Sequence, residues 1–213
     1  MGQPELQLHI KRVQQDVLRM GALVEKSVVL AQQALFERNL AAAEQVIAQD
    51  KQIDRFYRQI EKDCINLIAL RSPVARDLRW ISTLMQLVRD LERIGDYAKD
   101  LAEVALRLVM YPPPPELGRI QVMMQRCQKM LSHSLVALTE LDADLGRQLK
   151  QEDDAVDEDY TNLYNTLAQQ SDIRGSIEPI LLMLLSIRYL ERLADHSTNI
   201  GQRVAFIVTG QRD

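Results

Sequence analysis

Four consecutive prolines, Pro112 to Pro115, divide this chain of 213 residues almost at its midpoint. Proline fixes φ and has no backbone N–H, so no helix continues through this segment. On both sides of it, apolar residues recur at the three- and four-residue spacing of amphipathic helices. The pattern predicts six long helices. Their predicted ranges are 5–37, 40–70, 75–110, 116–141, 145–170 and 176–209.

The composition supports a helical protein and excludes several other classes. Aromatic residues make up 5% of the chain, and 8 glycines and 7 prolines are few for its length. This scarcity argues against a β-sandwich or a β-barrel. Helices of the predicted length need neighbours to bury their apolar faces, so we expect an all-α fold. The net charge of −4 disfavours a nucleic-acid-binding protein.

The sequence also predicts the compartment. The N-terminal residues lack the apolar segment of a signal peptide, and no run of ~18 apolar residues predicts a membrane span. Cys64 and Cys127 are the only cysteines, and neither lies at metal-ligand spacing from another cysteine or a histidine. We therefore expect buried, reduced thiols in a cytoplasmic protein.

The two halves of the chain share a sequence pattern, which indicates an internal repeat. The segment LERIGD at 91–96 matches LERLAD at 190–195, an offset of 99 residues. We therefore predict two tandem three-helix bundles built from six antiparallel helices. The predicted domains are 1–110 and 116–213, joined by a proline-rich linker at 111–115.

Each half carries two pairs of acidic residues spaced four residues apart. The pairs are Asp50/Asp54, Glu92/Asp96, Asp153/Asp157 and Glu191/Asp195. Residues at this spacing share a helix face, where like charges destabilise the helix slightly and invite a cation. On three of the four helices the pair continues an apolar line, which predicts a position at the edge of the core. The fifth helix is the weakest case, because its pair lies within a longer acidic run typical of a surface.

Two kinds of cation could neutralise these eight carboxylates. Six arginines lie close to the pairs in sequence: Arg55, Arg58, Arg89, Arg93, Arg188 and Arg192. A metal ion is the alternative, since ligand sets made only of oxygen suit Mg²⁺, Mn²⁺ or iron. The eight acidic residues are therefore candidate metal ligands, and a solvated helix face paired with arginine is the competing interpretation. The absence of a Glu-x-x-His motif from the sequence disfavours a ferritin-like di-iron site.

Other polar residues near the pairs give weaker signals. Asp100 and Asn199 lie one turn beyond the pairs and either extend the acidic face or, as we expect, are exposed polar residues. His9, His133 and His196 are predicted to lie on the surface. The sequence contains no Gly-x-Ser-x-Gly, Walker A or dinucleotide-binding motif, so we expect no catalytic residues.

At these residues the chain resembles the PhoU family, the accessory regulators of bacterial phosphate uptake. The four acidic pairs fit the family's Glu/Asp-x-x-x-Asp motif, while PVARDLR at 73–79 and DHSTNI at 195–200 resemble two further family segments. Ala194 stands where the family usually has glycine, which predicts tighter helix packing there. The likeness covers nearly the whole chain and implies two tandem three-helix units.

The resemblance implies a function that the residues alone do not show. Family members are cytoplasmic, peripheral to the membrane and commonly homodimers. They act with the ATPase subunit of the high-affinity phosphate transporter and with the sensor histidine kinase of the phosphate regulon, which they hold in its repressing state when phosphate is ample. Some bind multinuclear iron or zinc clusters through the acidic motifs. The resemblance thus implies a negative regulator that binds metal and joins two partners.

Two other functions stay open from the residues themselves. Paired carboxylates could hold a metal that activates water, as in a phosphohydrolase. Alternatively, the chain is a structural helical scaffold without metal.

Overall fold

Six helices form the part of the protein that the structure describes. The structure is a computed structural model that describes residues 3–170 and 175–211. The helices are α1 (Gln3–Phe36), α2 (Leu40–Arg71), α3 (Ala75–Leu108), α4 (Leu117–Glu140), α5 (Ala143–Ala168) and α6 (Glu178–Thr209). Each end lies within about two residues of its predicted position. The all-α class is confirmed, and no strand occurs within the described ranges.

Local chemistry explains where several helices begin and end. Asn39 and Asp142 precede α2 and α5, and their side chains accept hydrogen bonds from first-turn amides at 3.1 and 2.9 Å. Pro179 lies in the first turn of α6, where its missing N–H leaves no helical bond unmade. Ser72 and Leu141 adopt left-handed backbone angles, with φ of 43° and 56°, and end α2 and α4.

The six helices pack as two groups of three. Helices α1, α2 and α3 contact one another, as do α4, α5 and α6. The groups join through α3 against α6 and α1 against α4, so that α2 and α5 lie on the outer flanks. One core of buried aliphatic side chains runs through both groups. The domain boundaries at residues 110 and 116 stay a prediction.

Two further features are the position of the two cysteines and the length and hydropathy of the helices. Cys64 and Cys127 are buried free thiols, and burial raises the pKa of Cys64 to about 12. Within the described ranges, none of the helices is both long and apolar enough to cross a bilayer.

Helices α3 and α6 run antiparallel at the centre of the molecule. At one end, Arg107 Nε of α3 donates to Glu178 Oε1 at the start of α6, at 3.0 Å. At the other end, the guanidinium of Arg79 lies 6.0 Å from the ring centroid of Phe206, near the end of α6.

A buried aspartate links these two central helices. Asp90 of α3 has a side chain only 6% exposed. Its two oxygens accept from Arg203 Nε at 2.5 Å and from His196 Nδ1 at 2.9 Å, both on α6. His196 also stacks on Tyr97, with ring centroids 5.9 Å apart. The prediction that His196 is a surface histidine is therefore wrong, because its ring lies half-buried between the repeats.

The proline-rich segment is held by side chains from both halves. Arg38, in the turn between α1 and α2, donates to the carbonyls of Val109 and Tyr111 at the end of α3, the second at 3.0 Å. The hydroxyl of Tyr111 donates to Glu178 Oε2 at 2.5 Å. The linker is therefore fixed to the start of α6 as well as to the end of α3.

Two glycines allow an unusually close approach of α5 and α6. A Cβ added to Gly146 or to Gly201 would lie 2.5 Å from the other glycine's carbonyl oxygen. The equivalent positions in the first half, Ala43 and Ala102, carry methyl groups, and both are fully buried. The outer helix therefore lies closer to the central one at this crossing than methyl groups would permit.

Candidate functional site

The acidic pairs of α2 and α3 face each other across the first half. Asp50 and Asp54 on α2, with Glu92 and Asp96 on α3, form what we call the first acidic cluster. Burial raises the pKa of Asp96, and the charge of Asp50 raises it further. Burial and the charge of Asp96 likewise raise the pKa of Glu92, with a smaller contribution from Asp54. The charges of Asp50 and Asp54 on α2 therefore reach the two acids of α3 across the helix pair.

Basic side chains neutralise the first acidic cluster. Lys99 Nζ of α3 lies 2.8 Å from Asp50 Oδ2 of α2 and so bridges the two helices. Arg93 lies 3.4 Å from Asp96 and 3.9 Å from Glu92. The remaining carboxylate, Asp54, pairs with Arg58 at 3.3 Å. Sequence reasoning named the two arginines but missed Lys99, although it lies on the same face of α3, one turn after Asp96.

The first acidic cluster extends along α3 towards the second half. Asp100 is half-buried, and burial and the charges of Glu103 and Asp96 raise its pKa. Asp100 and Glu103 in turn raise the pKa of Tyr189 on α6, whose main perturbation is burial. The expectation that Asp100 is an exposed polar residue is therefore wrong, because it continues the acidic surface.

The second acidic cluster repeats the arrangement between α5 and α6. It consists of Asp153 and Asp157 on α5 and Glu191 and Asp195 on α6. Burial raises the pKa of Asp153, opposed by Lys150 and supported by the charges of Asp157 and Asp195. The pKa of Glu191 rises through burial and the charges of Asp195 and Asp157. The charges of Asp157 and Asp195 therefore act on both Asp153 and Glu191.

Three of these four carboxylates have basic partners on their own helices. Asp153 pairs with Lys150 at 3.1 Å, Glu191 with Arg188 at 2.9 Å and Asp195 with Arg192 at 3.1 Å. Asp157 is exposed. Lys150, like Lys99 in the first half, is a partner that sequence reasoning missed.

An open cavity of about 370 Å³ adjoins the second acidic cluster. It is lined by Lys150, Asp153, Arg192, Asp195, His196, Thr198, Asn199 and Gln202. The Asp153 side chain is only 4% exposed, and its Oδ1 has no hydrogen-bond partner within the described residues. The buried Thr198 Oγ1 also lacks one there. Asp153 therefore does not belong to an ordinary acidic surface run, which corrects the weakest of the sequence-based assignments.

The remaining histidines also differ from expectation. His133 is half-buried, and its Nδ1 lies 3.0 Å from Glu152 Oε1 of α5, which Lys129 also approaches at 3.3 Å. His9 is half-buried and lines a different cavity, between α1 and α2. The prediction that both are exposed is therefore wrong, in the case of His133 because its partner Glu152 lies on the neighbouring helix.

The chemistry of these residues suits a hard cation better than a soft one. Carboxylate, hydroxyl and amide oxygens around Asp153 and Asp195 match the ligands preferred by Mg²⁺, Mn²⁺ or iron. The unpartnered Oδ1 of Asp153 fits such an ion. Across residues 3–170 and 175–211, no group of three or more histidine, cysteine or acidic side chains is positioned to hold one. A metal at either cluster therefore stays a prediction, and the second cluster fits it better because Asp153 Oδ1 is buried there without a hydrogen-bond partner among the described residues.

One protein-family model matches both halves of this chain. A model described as the PhoU domain matches residues 17–105 and again residues 120–204. The chain belongs to the PhoU family. The double match confirms both the resemblance and the internal repeat, since one PhoU domain covers α1–α3 and the other α4–α6.

Relatives and solved structures of the PhoU family cover nearly the whole chain. A protein of Synechocystis sp. named as a phosphate-specific transport system accessory protein PhoU homolog is 56% identical, over 96% of this chain and 91% of that protein. A protein of the same name from Pseudomonas aeruginosa is 36% identical over 94% of this chain and 84% of its own length.

Among solved structures, the crystal structure of PhoU from Pseudomonas aeruginosa superposes with a TM-score of 0.90 at 33% identity, covering 96% of this chain and 99% of that one. The phosphate transport system regulatory protein PhoU from Streptococcus pneumoniae gives 0.89 at 29% identity, covering 98% and 99%. The two tandem PhoU units therefore pack here as in these relatives.

Proposed function

We propose that this protein is a negative regulator of the bacterial phosphate regulon and a modulator of high-affinity phosphate uptake. It acts in the cytoplasm as a homodimeric adaptor between the transporter's ATPase subunit and the phosphate-sensing histidine kinase, and reaches the membrane only through these partners. The observation that carries the proposal is the 56% identity, over 96% of the chain, to an accessory protein of the phosphate-specific transport system.

The acidic clusters supply the part of the adaptor that responds to ions. A divalent cation, iron or zinc at these motifs would neutralise carboxylates whose pKa values burial and mutual repulsion raise. The predicted ligands of the second cluster are Asp153, Asp157, Glu191 and Asp195. Of these four, Asp153 offers a buried oxygen that has no hydrogen-bond partner within the described residues, so a metal would bind there first, and the other acids would have to move towards it. An adaptor carries a signal only if its states bind the two partners differently, and bound metal is one way to separate such states.

The proposed activity is regulatory rather than catalytic. Acid–base chemistry by two carboxyls requires environments that push their pKa values apart. The pKa values of Glu92 and Asp96 instead move in the same direction, as do those of Asp153 and Glu191. These shifts therefore do not single out one acid and one base, and the regulatory role is supported by the likeness to the accessory protein.

Metal binding is tested by replacing the buried carboxylate of the second cluster. We expect purified protein incubated with Mn²⁺ to retain the ion after desalting, measured by mass spectrometry of the metal. Asp153→Asn is expected to weaken retention about tenfold, since it replaces a carboxylate whose free oxygen suits the ion. Asp154→Asn is the matched control, because this neighbouring side chain is 70% exposed and lies outside the cluster. Equal retention by the two variants would count against the site.

The same samples separate the competing functions. Release of phosphate from a generic phosphate ester that requires Mn²⁺ and disappears in Asp153→Asn would favour the phosphohydrolase. Full regulation by an Asp153→Asn protein that holds no metal would favour the metal-free scaffold.

The regulatory role is tested in the host. Deleting the gene is expected to derepress phosphate-starvation genes in phosphate-rich medium, because the kinase loses its repressor. A starvation-promoter reporter measures this, and the intact gene supplied on a plasmid should restore repression. Unchanged repression in the deletion strain would overturn the proposed function.

A further inference from the structure

The connection between α2 and α3 exposes large apolar side chains at one end of the first bundle. Leu70 is 78% exposed and Val74 is 75% exposed. Leu8 of α1, 67% exposed, follows Gln7, whose side-chain amide donates to Asp77 Oδ1 at the start of α3, at 3.1 Å. Single exposed aliphatic residues are ordinary, but several at one end of a bundle mark an interaction surface. We call this the tip surface and define it by Leu8, Arg12, Leu70, Arg71, Val74 and Arg76.

The backbone holds the tip surface in a fixed and costly shape. Ser72 and Ala75 both adopt left-handed angles, with φ of 43° and 48°, although neither is glycine. Between them, Pro73 is buried and Val74 is extended. Such conformations are strained for residues other than glycine and persist where the surrounding structure enforces them. Val74 is therefore presented outward on a rigid turn.

A cavity of about 310 Å³ opens beside the exposed leucine. The buried side chains of Val13 and Leu67, with Leu70 beside them, form its apolar part. The rest of the lining is polar and consists of His9, Arg12, Gln59, Asp63, Asn66 and Arg71. A cavity of this size with an apolar part suits a large apolar side chain inserted by a partner. This concave shape favours a protein segment over a flat lipid surface.

The charge around the tip surface is opposite in sign to that of the whole chain. Arg12, Arg71 and Arg76 are all exposed there, on a chain whose net charge is −4. The acids Asp63 and Asp77 also lie nearby and keep their charge, because their hydrogen-bond donors are neutral glutamine amides, so the arginines outnumber the carboxylates by three to two. The complementary partner is therefore acidic.

We propose that the tip surface docks an acidic segment of a partner protein, which inserts a large apolar side chain into the cavity beside Leu70. This inference rests on the proposed function, because the tip surface would be one of the surfaces by which the adaptor contacts a partner. It adds to that function the location of the contact and the chemistry of the segment that binds there.

The test uses short random peptides displayed on phage and selected on the full-length protein. Selected peptides are expected to be enriched in aspartate and glutamate around one or two large apolar residues. Leu70→Ser/Val74→Ser is expected to weaken their binding at least about tenfold, the loss typical of a central contact. Arg12→Glu/Arg76→Glu should weaken acidic peptides similarly and bind versions of them in which lysine replaces glutamate.

Controls separate this proposal from the alternatives. Met110→Ser removes a side chain that is 80% exposed at the other end of α3, and it should leave peptide binding unchanged. Both sets of substitutions affect exposed residues, so circular dichroism should show a folded protein. No enrichment, peptides without acidic residues, or binding that survives Leu70→Ser/Val74→Ser would overturn the proposal.

Sedimentation with vesicles containing phosphatidylglycerol tests a membrane instead. Vesicle binding that is lost in these variants, with no peptide enrichment, would assign the surface to lipid and overturn the proposal. The peptide assay is done in vitro, so its failure is distinct from unchanged repression in the deletion strain.

Discussion

Asp90→Ala is expected to lower the free energy of unfolding by about 3 kcal/mol, because it breaks a buried ion pair between the two repeats. The side chain of Asp90 is 6% exposed and accepts from both Arg203 and His196 on α6. Its loss leaves a guanidinium and an imidazole at the α3–α6 contact without their acceptor. Arg203 is 28% exposed, so water recovers part of the loss and keeps the cost near the lower end for such pairs. Urea unfolding followed by circular dichroism measures the change.

Two further variants show whether the cost comes from burial of the charge. Asp154→Ala removes an exposed carboxylate that lies 3.6 Å from Lys150, and it should cost less than about 1 kcal/mol. Asp90→Leu combined with Arg203→Met replaces the charged pair with apolar groups and should recover stability relative to Asp90→Ala. If Asp90→Ala and Asp154→Ala cost the same, the contact between the repeats does not depend on Asp90.

The importance of Asp90 could not be predicted from the sequence. Its partners lie 106 and 113 residues away, on a helix of the other repeat. The internal repeat does not indicate the role of Asp90 either, because the equivalent position in the second half, 99 residues later, is Tyr189. Helical periodicity shows which residues share a face of one helix, but not which face of another helix lies opposite.

The helices and the acidic pairs were predictable because their signals are local or repeated. Helix ends depend on neighbouring residues such as Asn39, Asp142 and the prolines. The apolar lines that lead into the acidic pairs indicated a position at the edge of the core, but they did not show that the pairs of α2 and α3 lie opposite each other. The lysines that neutralise them, Lys99 and Lys150, were missed because sequence reasoning considered only arginines.

The presence of alanine at position 194, where the family usually has glycine, also has a structural explanation that the sequence did not show. A Cβ on Gly95 would lie 3.1 Å from Ile53 Cδ1 of α2. In the second half, Ala194 takes the place of Gly95, and the smaller Val156 takes the place of Ile53. The pair of residues thus conserves volume at this position. The tighter packing expected at Ala194 is offset by the smaller side chain of Val156. This compensation becomes apparent only when the residues that face each other on the two helices are known.

Asp153 lies two turns along α5 from the close crossing of α5 and α6, and this crossing leads to the second large expected effect. Gly201→Ala should destabilise the protein by about 2–3 kcal/mol. Its new Cβ would lie 2.5 Å from the carbonyl oxygen of Gly146 and would also overlap Leu149 Cδ1. A backbone oxygen cannot turn away as a side chain can, so α5 must move from α6, and the cost of overpacking exceeds the ~1 kcal/mol that alanine gains over glycine in a helix.

The displacement of α5 should reach the second acidic cluster, because Thr198, Asn199 and Gln202 beside Gly201 line the same cavity as Asp153. Gly201→Ala is therefore expected to lower both the urea midpoint and the retention of Mn²⁺. Gly118→Ala is the matched control, since nothing lies within 4 Å of a Cβ built there and alanine should be neutral or slightly stabilising in α4. Equal stability of the two variants would mean that the helices separate without cost at their glycine crossing. The burial of Asp153 would then depend on other contacts. The close approach of α5 and α6 would not explain how the cavity holds a metal.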